Sequence, residues 1–212
     1  MSVATGVVAS DGVTFFEQPQ YLYRDVSQSL MIKAKNLASV ANDTLSLAFE
    51  PELTLDDDYT TSIEIGDGDG NDKLVLHKKG GRSWAGVPKG VQEVKLTLLD
   101  VKLNGESLIN APIPAATVIK APMVLGARCD DVPRVSQTDP KIVIEGHCLK
   151  QKAIDLIFKQ EKDGRTLSKG EDYMIGEHTD EKMVLKLIDG HQWKESTGPL
   201  ILKGINTLAG YV

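Results

Sequence analysis

The sequence repeats one pattern twice in the same order, and this internal repeat constrains the fold more than any other feature. The clearest match needs no gap: DKLVLHKKGGRSW (72–84) aligns with EKMVLKLIDGHQW (181–193). Four further pairs keep the same order, namely SLMIKAKNL (29–37) with KIVIEGHCL (141–149), TLSLAF (44–49) with AIDLIF (153–158), DDDY (56–59) with GEDY (170–173), and KLTLLDVKLNG (95–105) with PLILKGINTLAG (199–210). A repeat of this length predicts two copies of one small domain.

The boundary between the two copies is predicted near APIPAATVIKAP (111–122), because its prolines suit a linker or an edge strand. Repeat 1 then covers residues 1–120, and repeat 2 covers residues 121–212.

Hydrophobic residues recur at every second position in the matched segments, which is the period of a β-strand. In TLSLAF the residues Leu45, Leu47 and Phe49 alternate with small or polar residues, and AIDLIF alternates in the same way. Glycine, aspartate, asparagine and proline cluster between such segments, as turns require. No long helical pattern competes. The predicted fold class is therefore all-β, with two tandem β-sandwiches of one duplicated module.

Composition narrows the possible partners. The chain has 212 residues and a net charge of −6, with acidic and basic residues interspersed. Binding to phosphates needs a basic face, so we expect no nucleic acid partner. No apolar run approaches the length of a membrane span, and the start MSVATGVVAS lacks the regions of a signal peptide, although a trimmed targeting segment stays an open alternative.

Two cysteines, Cys129 and Cys148, are too few for a disulfide scaffold and favour a reducing compartment.

The stretch IGDGDGNDKLVL (65–76) carries the sequence's best candidate metal ligands, Asp67, Asp69 and Asn71, at the alternate positions of a calcium loop. The sixth position of that loop is Asp72 where glycine is required, and the twelfth is Lys78 where a bidentate glutamate is required. The matching segment IGEHTDEKMVL (175–185) lacks the acidic alternation altogether. We therefore expect a hairpin turn with no metal, and a stability that does not respond to calcium.

Four aromatic residues occupy equivalent positions in the two repeats: Trp84 with Trp193, and Tyr59 with Tyr173. Two diverged copies would rarely keep the same ligand contact, but both would keep a residue that closes the core. We therefore expect all four to be structural core residues, the tyrosines with an added hydrogen bond at a strand start.

No catalytic pattern is found. None of the four histidines recurs in the other repeat or has metal-ligand spacing, and no nucleophile elbow or phosphate-binding glycine loop is present. The chain is expected to be no enzyme and to need no cofactor.

Each half resembles an IPT/TIG-type immunoglobulin-like domain, the second most clearly, in PRVSQTDPKIVIEGHCLKQKAIDLIF (133–158) and GPLILKGINTLAGYV (198–212). The resemblance implies immunoglobulin-like sandwiches that connect, bind or dimerise, with no catalytic residues. The Lys-x-x-Leu and Gly-x-x-Trp strand and the Gly-Ile-Asn-Thr-x-Ala-Gly end are also similar to the diatom pyrenoid shell proteins. That likeness implies self-assembly around a carbon-fixing compartment in the plastid stroma; without it the location is intracellular or at the cell surface.

Two functions of different class remain. The first is a structural protein that self-assembles into a sheet, tube or shell, with itself as partner, and the second is an adhesion or recognition module that binds a glycan or protein through its loops. Repeat 2 has no counterpart of the segment 117–120, so its sandwich is expected to lack an edge strand. The N-terminal segment 3–10 is the candidate donor of that strand, in cis or from a neighbouring copy. The candidate assembly residues are Val3, Val7, Val8, Thr117 and Ile119.

Overall fold

The computed structural model describes residues 6–8, 12–17, 20–40, 45–66, 72–88, 91–129, 141–160, 166–188 and 200–212. Nearly all regular structure in these residues is β-strand, with one short 3₁₀ helix over Leu37–Val40. The all-β prediction is confirmed. The chain folds as two compact units, Met1–Lys120 (unit 1) and Ala121–Val212 (unit 2).

Unit 1 contains ten described strands in two sheets. They are β1 (Gly6–Val8), β2 (Thr14–Phe16), β3 (Tyr21–Tyr23), β4 (Ser29–Lys35), β5 (Leu45–Glu50), β6 (Tyr59–Glu64), β7 (Asp72–Lys78), β8 (Glu93–Leu103), β9 (Glu106–Ser107) and β10 (Ile113–Ile119). One sheet has the order β1-β2-β4-β7-β6, and the other has the order β3-β10-β8-β5 with β9 added to the end of β8. All the pairs are antiparallel except β10 with β3, which is parallel.

Unit 2 contains eight described strands, also in two sheets. They are β11 (Met123–Cys129), β12 (Lys141–His147), β13 (Ile154–Gln160), β14 (Thr166–Leu167), β15 (Tyr173–His178), β16 (Lys182–Leu187), β17 (Leu200–Thr207) and β18 (Gly210–Tyr211). The sheet orders are β11-β12-β16-β15 and β14-β13-β17-β18, and every pair is antiparallel.

In each unit the two sheets enclose one hydrophobic core, which gives a sandwich-like architecture. The period-two pattern decides which side chains enter it: along β4, Leu30, Ile32 and Ala34 are buried, while Met31 and Lys33 face outward. The core of unit 1 includes Phe15, Leu30, Leu74, Trp84, Leu96 and Leu98, and that of unit 2 includes Ile144, Leu156, Phe158, Tyr173, Met183 and Leu185. Burying each such side chain stabilises the fold by about 1.5–3 kcal/mol.

The sheets of the two units share details of register. In unit 1 the pairing of β5 with β8 shifts between Ala48 and Phe49, and in unit 2 the pairing of β13 with β17 shifts between Ile157 and Phe158. In both cases the extra residue lies on the partner strand, Leu99 in β8 and Lys203 in β17, opposite the step that leads into the core phenylalanine.

The expectation that segment 111–122 is a linker or an edge strand is wrong. Residues 113–119 form β10, which pairs with β8 on one side and, over residues 117–119, with β3 on the other. Pro114 is tolerated because no described strand pairs with it on the β3 side, and because the register with β8 shifts directly after it, at Ala115.

Candidate assembly interface

The predicted core tyrosines begin equivalent strands and are fully buried. Tyr59 is the first residue of β6 and Tyr173 the first residue of β15, and each has 0% exposure. The ring of Tyr59 packs edge-to-face on Phe49 with centroids 6.0 Å apart, and the ring of Tyr173 packs on Phe158 in the same way at 5.8 Å. This geometry favours contact between the positive edge of one ring and the negative face of the other.

The turn before each tyrosine is also built in the same way. Oδ2 of Asp58 accepts a hydrogen bond from the N–H of Thr54 at 2.9 Å, and Oδ2 of Asp172 accepts one from the N–H of Ser168 at 2.8 Å. Each aspartate N–H then donates back to the carbonyl of the same partner, at 2.8 and 2.9 Å. Asp58 and Asp172 therefore close the turns that lead into β6 and β15. This structural role explains why an aspartate precedes each tyrosine.

The two tyrosine hydroxyls differ. That of Tyr173 accepts from the N–H of Leu156 at 3.2 Å and lies 2.9 Å from the carbonyl of Leu156 and 3.1 Å from Oδ1 of Asp155. The buried hydroxyl of Tyr59 has no hydrogen-bond partner among the described residues. Burial raises the pKa of Tyr59 to about 12, and burial likewise raises the pKa of Tyr173.

Trp84 lies in the core of unit 1 with 1% exposure, and its indole N–H donates to the carbonyl of Ser27 at 2.7 Å. Its backbone N–H donates to the carbonyl of Arg24 at 3.0 Å, so the loop before β4 and the segment after β7 are tied together. Next to this contact, the Arg24 guanidinium lowers the pKa of the Asp25 carboxyl below its usual value. Trp193 lies outside the described residues.

The candidate metal ligands Asp67, Asp69 and Asn71 also lie outside the described residues. Within the described part of the chain, no group of three or more histidine, cysteine or acidic side chains is placed to hold a metal ion. The neighbouring Asp72 is described and is 6% exposed. Its carboxylate accepts from the N–H of Leu37 at 2.8 Å and from the N–H of Gly66 at 3.1 Å, so it anchors the 3₁₀ helix and the start of the loop.

Strand β6 forms one edge of a unit 1 sheet, and its edge is regular. It pairs with β7 over all six residues without a register shift, and on its other side the described residues show only an isolated bridge, from Leu55 to Tyr59 at the start of the strand. Its sequence, YTTSIE, contains no proline and no lysine, and its one charge, on Glu64, lies 3.7 Å from the ammonium of Lys73. Proteins usually protect such edges with charges, prolines or bulges.

The equivalent edge in unit 2 carries that protection. The pairing of β15 with β16 shifts between Ile175 and His178, which leaves Gly176 and Glu177 as a bulge in the edge strand. Glu177 also forms an ion pair with Lys182 at 2.9 Å across this bulge. A bulge bends and twists the strand, so β15 presents no straight ladder to a further strand.

The second sheets of the two units differ in the same way: the edge is partly covered in unit 2, and no described strand covers it in unit 1. In unit 2, β14 covers part of the edge of β13 through the pairs of Phe158 with Leu167 and Lys159 with Thr166, and the Tyr173 hydroxyl covers the backbone of Leu156. In unit 1, β5 is an edge strand that no other described strand covers. Because the ring contact of Phe49 with Tyr59 places β5 against β6, both sheets of unit 1 have an uncovered edge on one side of the sandwich.

The residues predicted to mediate assembly have other positions. Val7 and Val8 belong to β1, which pairs with β2 within unit 1. Thr117 and Ile119 belong to β10 and are paired on both sides, with β8 and with β3. Val3 lies outside the described residues. The sequence reasoning missed Thr61, Ser62 and Ile63 of β6, although a run of β-branched and small polar residues without lysine or proline was the available signal.

Unit 2 also contains an open cavity of about 440 Å³ between the starts of β13 and β15. Its lining includes the basic residues Lys152, Lys169 and His178 and the apolar residues Ile154 and Met174, and none of the described lining residues is acidic. The ammonium of Lys169 donates to the carbonyl of Ile154 at 2.9 Å, which holds that side chain across the opening. Such a lining suits a carboxylate or another anionic group attached to an apolar body.

No helix in the described residues is long and apolar enough to cross a membrane. Comparison of the chain with known protein families and with curated proteins gives no match.

Proposed function

We propose that this chain is a non-enzymatic structural protein that self-assembles through the edges and faces of its β-sandwiches into a sheet, tube or shell. The observation that carries the proposal is the contrast between the units. The side of unit 1 formed by β5 and β6 leaves both sheets uncovered, whereas a bulge in β15 and the short strand β14 protect the same side of unit 2. An unprotected edge is a template for pairing with another strand.

We also propose that the two units are copies of one immunoglobulin-like module, as the resemblance to IPT/TIG-type domains implies. The shared turn before each tyrosine, the shared ring contact and the shared bulge in the strand opposite each core phenylalanine support common descent. In such a duplication one copy can keep its protected edges while the other changes toward contact. The similarity to the diatom pyrenoid shell proteins suits this assembly role, and under that resemblance we expect the protein in the plastid stroma; without it we expect an intracellular or cell-surface location.

The acidic chain supplies a condition for assembly. With a net charge of −6, copies repel one another at low ionic strength, and added salt screens that repulsion. Association through backbone hydrogen bonds at an edge carries no such salt penalty. We therefore expect assembly to increase with both protein concentration and salt concentration.

Light scattering coupled to size-exclusion chromatography tests the proposal, followed by negative-stain microscopy of the same samples over a concentration and salt series. Oligomers or extended polymers are expected, increasing with salt. A chain that stays monomeric at every concentration and in high salt would contradict the structural role.

The cavity of unit 2 favours a second candidate, a recognition module that binds an acidic group of a glycan or protein. Its test is nuclear magnetic resonance titration with glucuronate and with an acidic peptide, comparing the parent with Lys169→Gln. Saturable shifts at Lys169 and His178 of the parent support recognition, provided that the His178 shift is weaker in the variant. Their absence with both probes contradicts it.

A further inference from the structure

We propose that β6 pairs antiparallel with β6 of a second copy, centred on Ser62, so that two sheets of unit 1 join into one continuous sheet. This inference rests on the proposed self-assembly and names the contact that begins it.

The backbone groups that face the open edge can be identified from the bonds around β7. The N–H of Lys78 donates to the carbonyl of Gln28 on the β4 side at 2.8 Å, and the N–H of Lys79 donates to Asp58 on the β6 side at 2.9 Å. Because backbone groups alternate in direction along an antiparallel ladder, Thr60 and Ser62 bond to β7, and Thr61 and Ile63 point to the open edge.

Within the strand, which ends at Glu64, one register uses both Thr61 and Ile63 of each copy. The carbonyl of Tyr59 is already bonded to the N–H of Asp56 at 2.8 Å, so a pairing that needs Tyr59 is disfavoured. When two copies pair about a two-fold axis at Ser62, Thr61 of each copy faces Ile63 of the other. That arrangement makes four backbone hydrogen bonds, from the N–H and C=O groups of these two residues in each copy.

Side chains fit the same register. Glu64 faces Thr60 of the second copy, so the two Glu64 carboxylates do not face each other. Thr61 and Ile63, both half-buried, form β-branched pairs across the joint. The register therefore pairs β-branched side chains with each other and places no like charges directly opposite.

A disulfide experiment tests the register. In the full chain with both cysteines replaced (Cys129→Ser and Cys148→Ser), Ser62→Cys places a thiol on the two-fold axis, where facing Cα atoms lie about 4.5 Å apart, within reach of a disulfide. Thr60→Cys is the matched control on the same face of the same strand. In the proposed register its two thiols are separated by four residues, about 13 Å along the strand, which is too far for a disulfide.

We expect mild oxidation to give a disulfide-linked dimer at least about tenfold faster for Ser62→Cys than for Thr60→Cys, with the rate rising with protein concentration. Equal rates overturn the proposed pairing. If light scattering of the parent still shows oligomers, the assembly role survives through another surface, whereas a monomeric parent overturns both proposals.

A second variant tests the edge without cysteine. Thr61→Pro removes an N–H that points to the open edge and leaves the β7 ladder intact, because proline is tolerated at edge positions. We expect loss of the dimer with an unchanged circular dichroism spectrum. A variant that is folded and dimerises as the parent does would refute the role of this edge.

Discussion

Replacing Tyr173 with phenylalanine is expected to destabilise unit 2 by about 1–3 kcal/mol, whereas the same replacement at Tyr59 should be neutral or slightly stabilising. The hydroxyl of Tyr173 binds both backbone groups of Leu156, at 3.2 and 2.9 Å, in a residue that is 1% exposed. Its removal leaves buried polar groups without a partner. The hydroxyl of Tyr59 is buried without a described partner, so its removal ends a desolvation cost and breaks no described bond.

Thermal and urea unfolding of the two variants measure this difference. For a domain of 60–100 residues, each kcal/mol corresponds to a shift of roughly 4–8 °C in Tm, so a loss near 2 kcal/mol is well above the error of the assay. Hydrogen exchange followed by mass spectrometry localises the effect. Tyr173→Phe should speed the exchange of the Leu156 amide, and Tyr59→Phe should leave the β5 amides unchanged.

The free energy of unfolding above about pH 10 gives a second measurement on the same variants. A tyrosine in the unfolded chain ionises near pH 10, whereas burial raises the pKa of folded Tyr59 to about 12. The stability due to the neutral form is complete below pH 10 and is lost as the pH rises toward 12, by up to about 1.4 kcal/mol per pH unit. Tyr59→Phe should flatten this decline.

Equal destabilisation by the two replacements would refute the reasoning, because it would mean that the Tyr59 hydroxyl makes a bond as valuable as those of Tyr173. The reasoning would also be refuted if Tyr173→Phe were as stable as the parent. Two buried backbone groups would then have lost their partner without any loss of stability.

Three further outcomes are expected. Gly146→Ala should destabilise unit 2 by about 1–3 kcal/mol or more in urea unfolding, because an added Cβ would collide with a β11 carbonyl, whereas Gly126→Ala, with open space around it, should be neutral. Asp72→Ala should cost roughly 2–3 kcal/mol and Asp72→Asn less, since the amide keeps one acceptor for the N–H of Leu37. Calcium should not shift the Tm; a rise of several degrees that is abolished by Asp67→Ala would contradict the hairpin interpretation of loop 66–72.

Most of the strands that the sequence predicted with success have a buried face and a polar face; β12 is the exception, because Ile142, Val143 and Ile144 are all buried. The alternating segments 30–34 and 142–146 lie within β4 and β12, and 44–49 and 153–158 coincide closely with β5 and β13. Burial of one face makes alternation visible in the sequence, so these strands and the all-β class could be predicted from it.

The features that sequence reasoning missed depend on contacts between distant segments. Segment 113–119 has buried residues on both faces, so the prolines dominated its interpretation, and its parallel partner β3 lies far away in sequence. The uncovered edge of β6 was missed because strand order, and not composition, decides which strand is last in a sheet. Asp72 was noted only as a failed calcium ligand, although its buried carboxylate joins two turns.

Pairing through β6 has a consequence for the size of the assembly. A contact of one strand with the same strand in a second copy is isologous, so its two-fold symmetry closes after two chains. Unit 2 does not repeat that contact, because the bulge at Gly176 and Glu177 blocks the equivalent edge. A sheet, tube or shell therefore requires a second, different surface that joins dimers to each other. Light scattering should then show the dimer as the first species to form with rising concentration, and Thr61→Pro should abolish this dimer and leave only the species that the second surface forms by itself. Polymers that form from Thr61→Pro monomers at the parent's rate would show that growth does not proceed through β6.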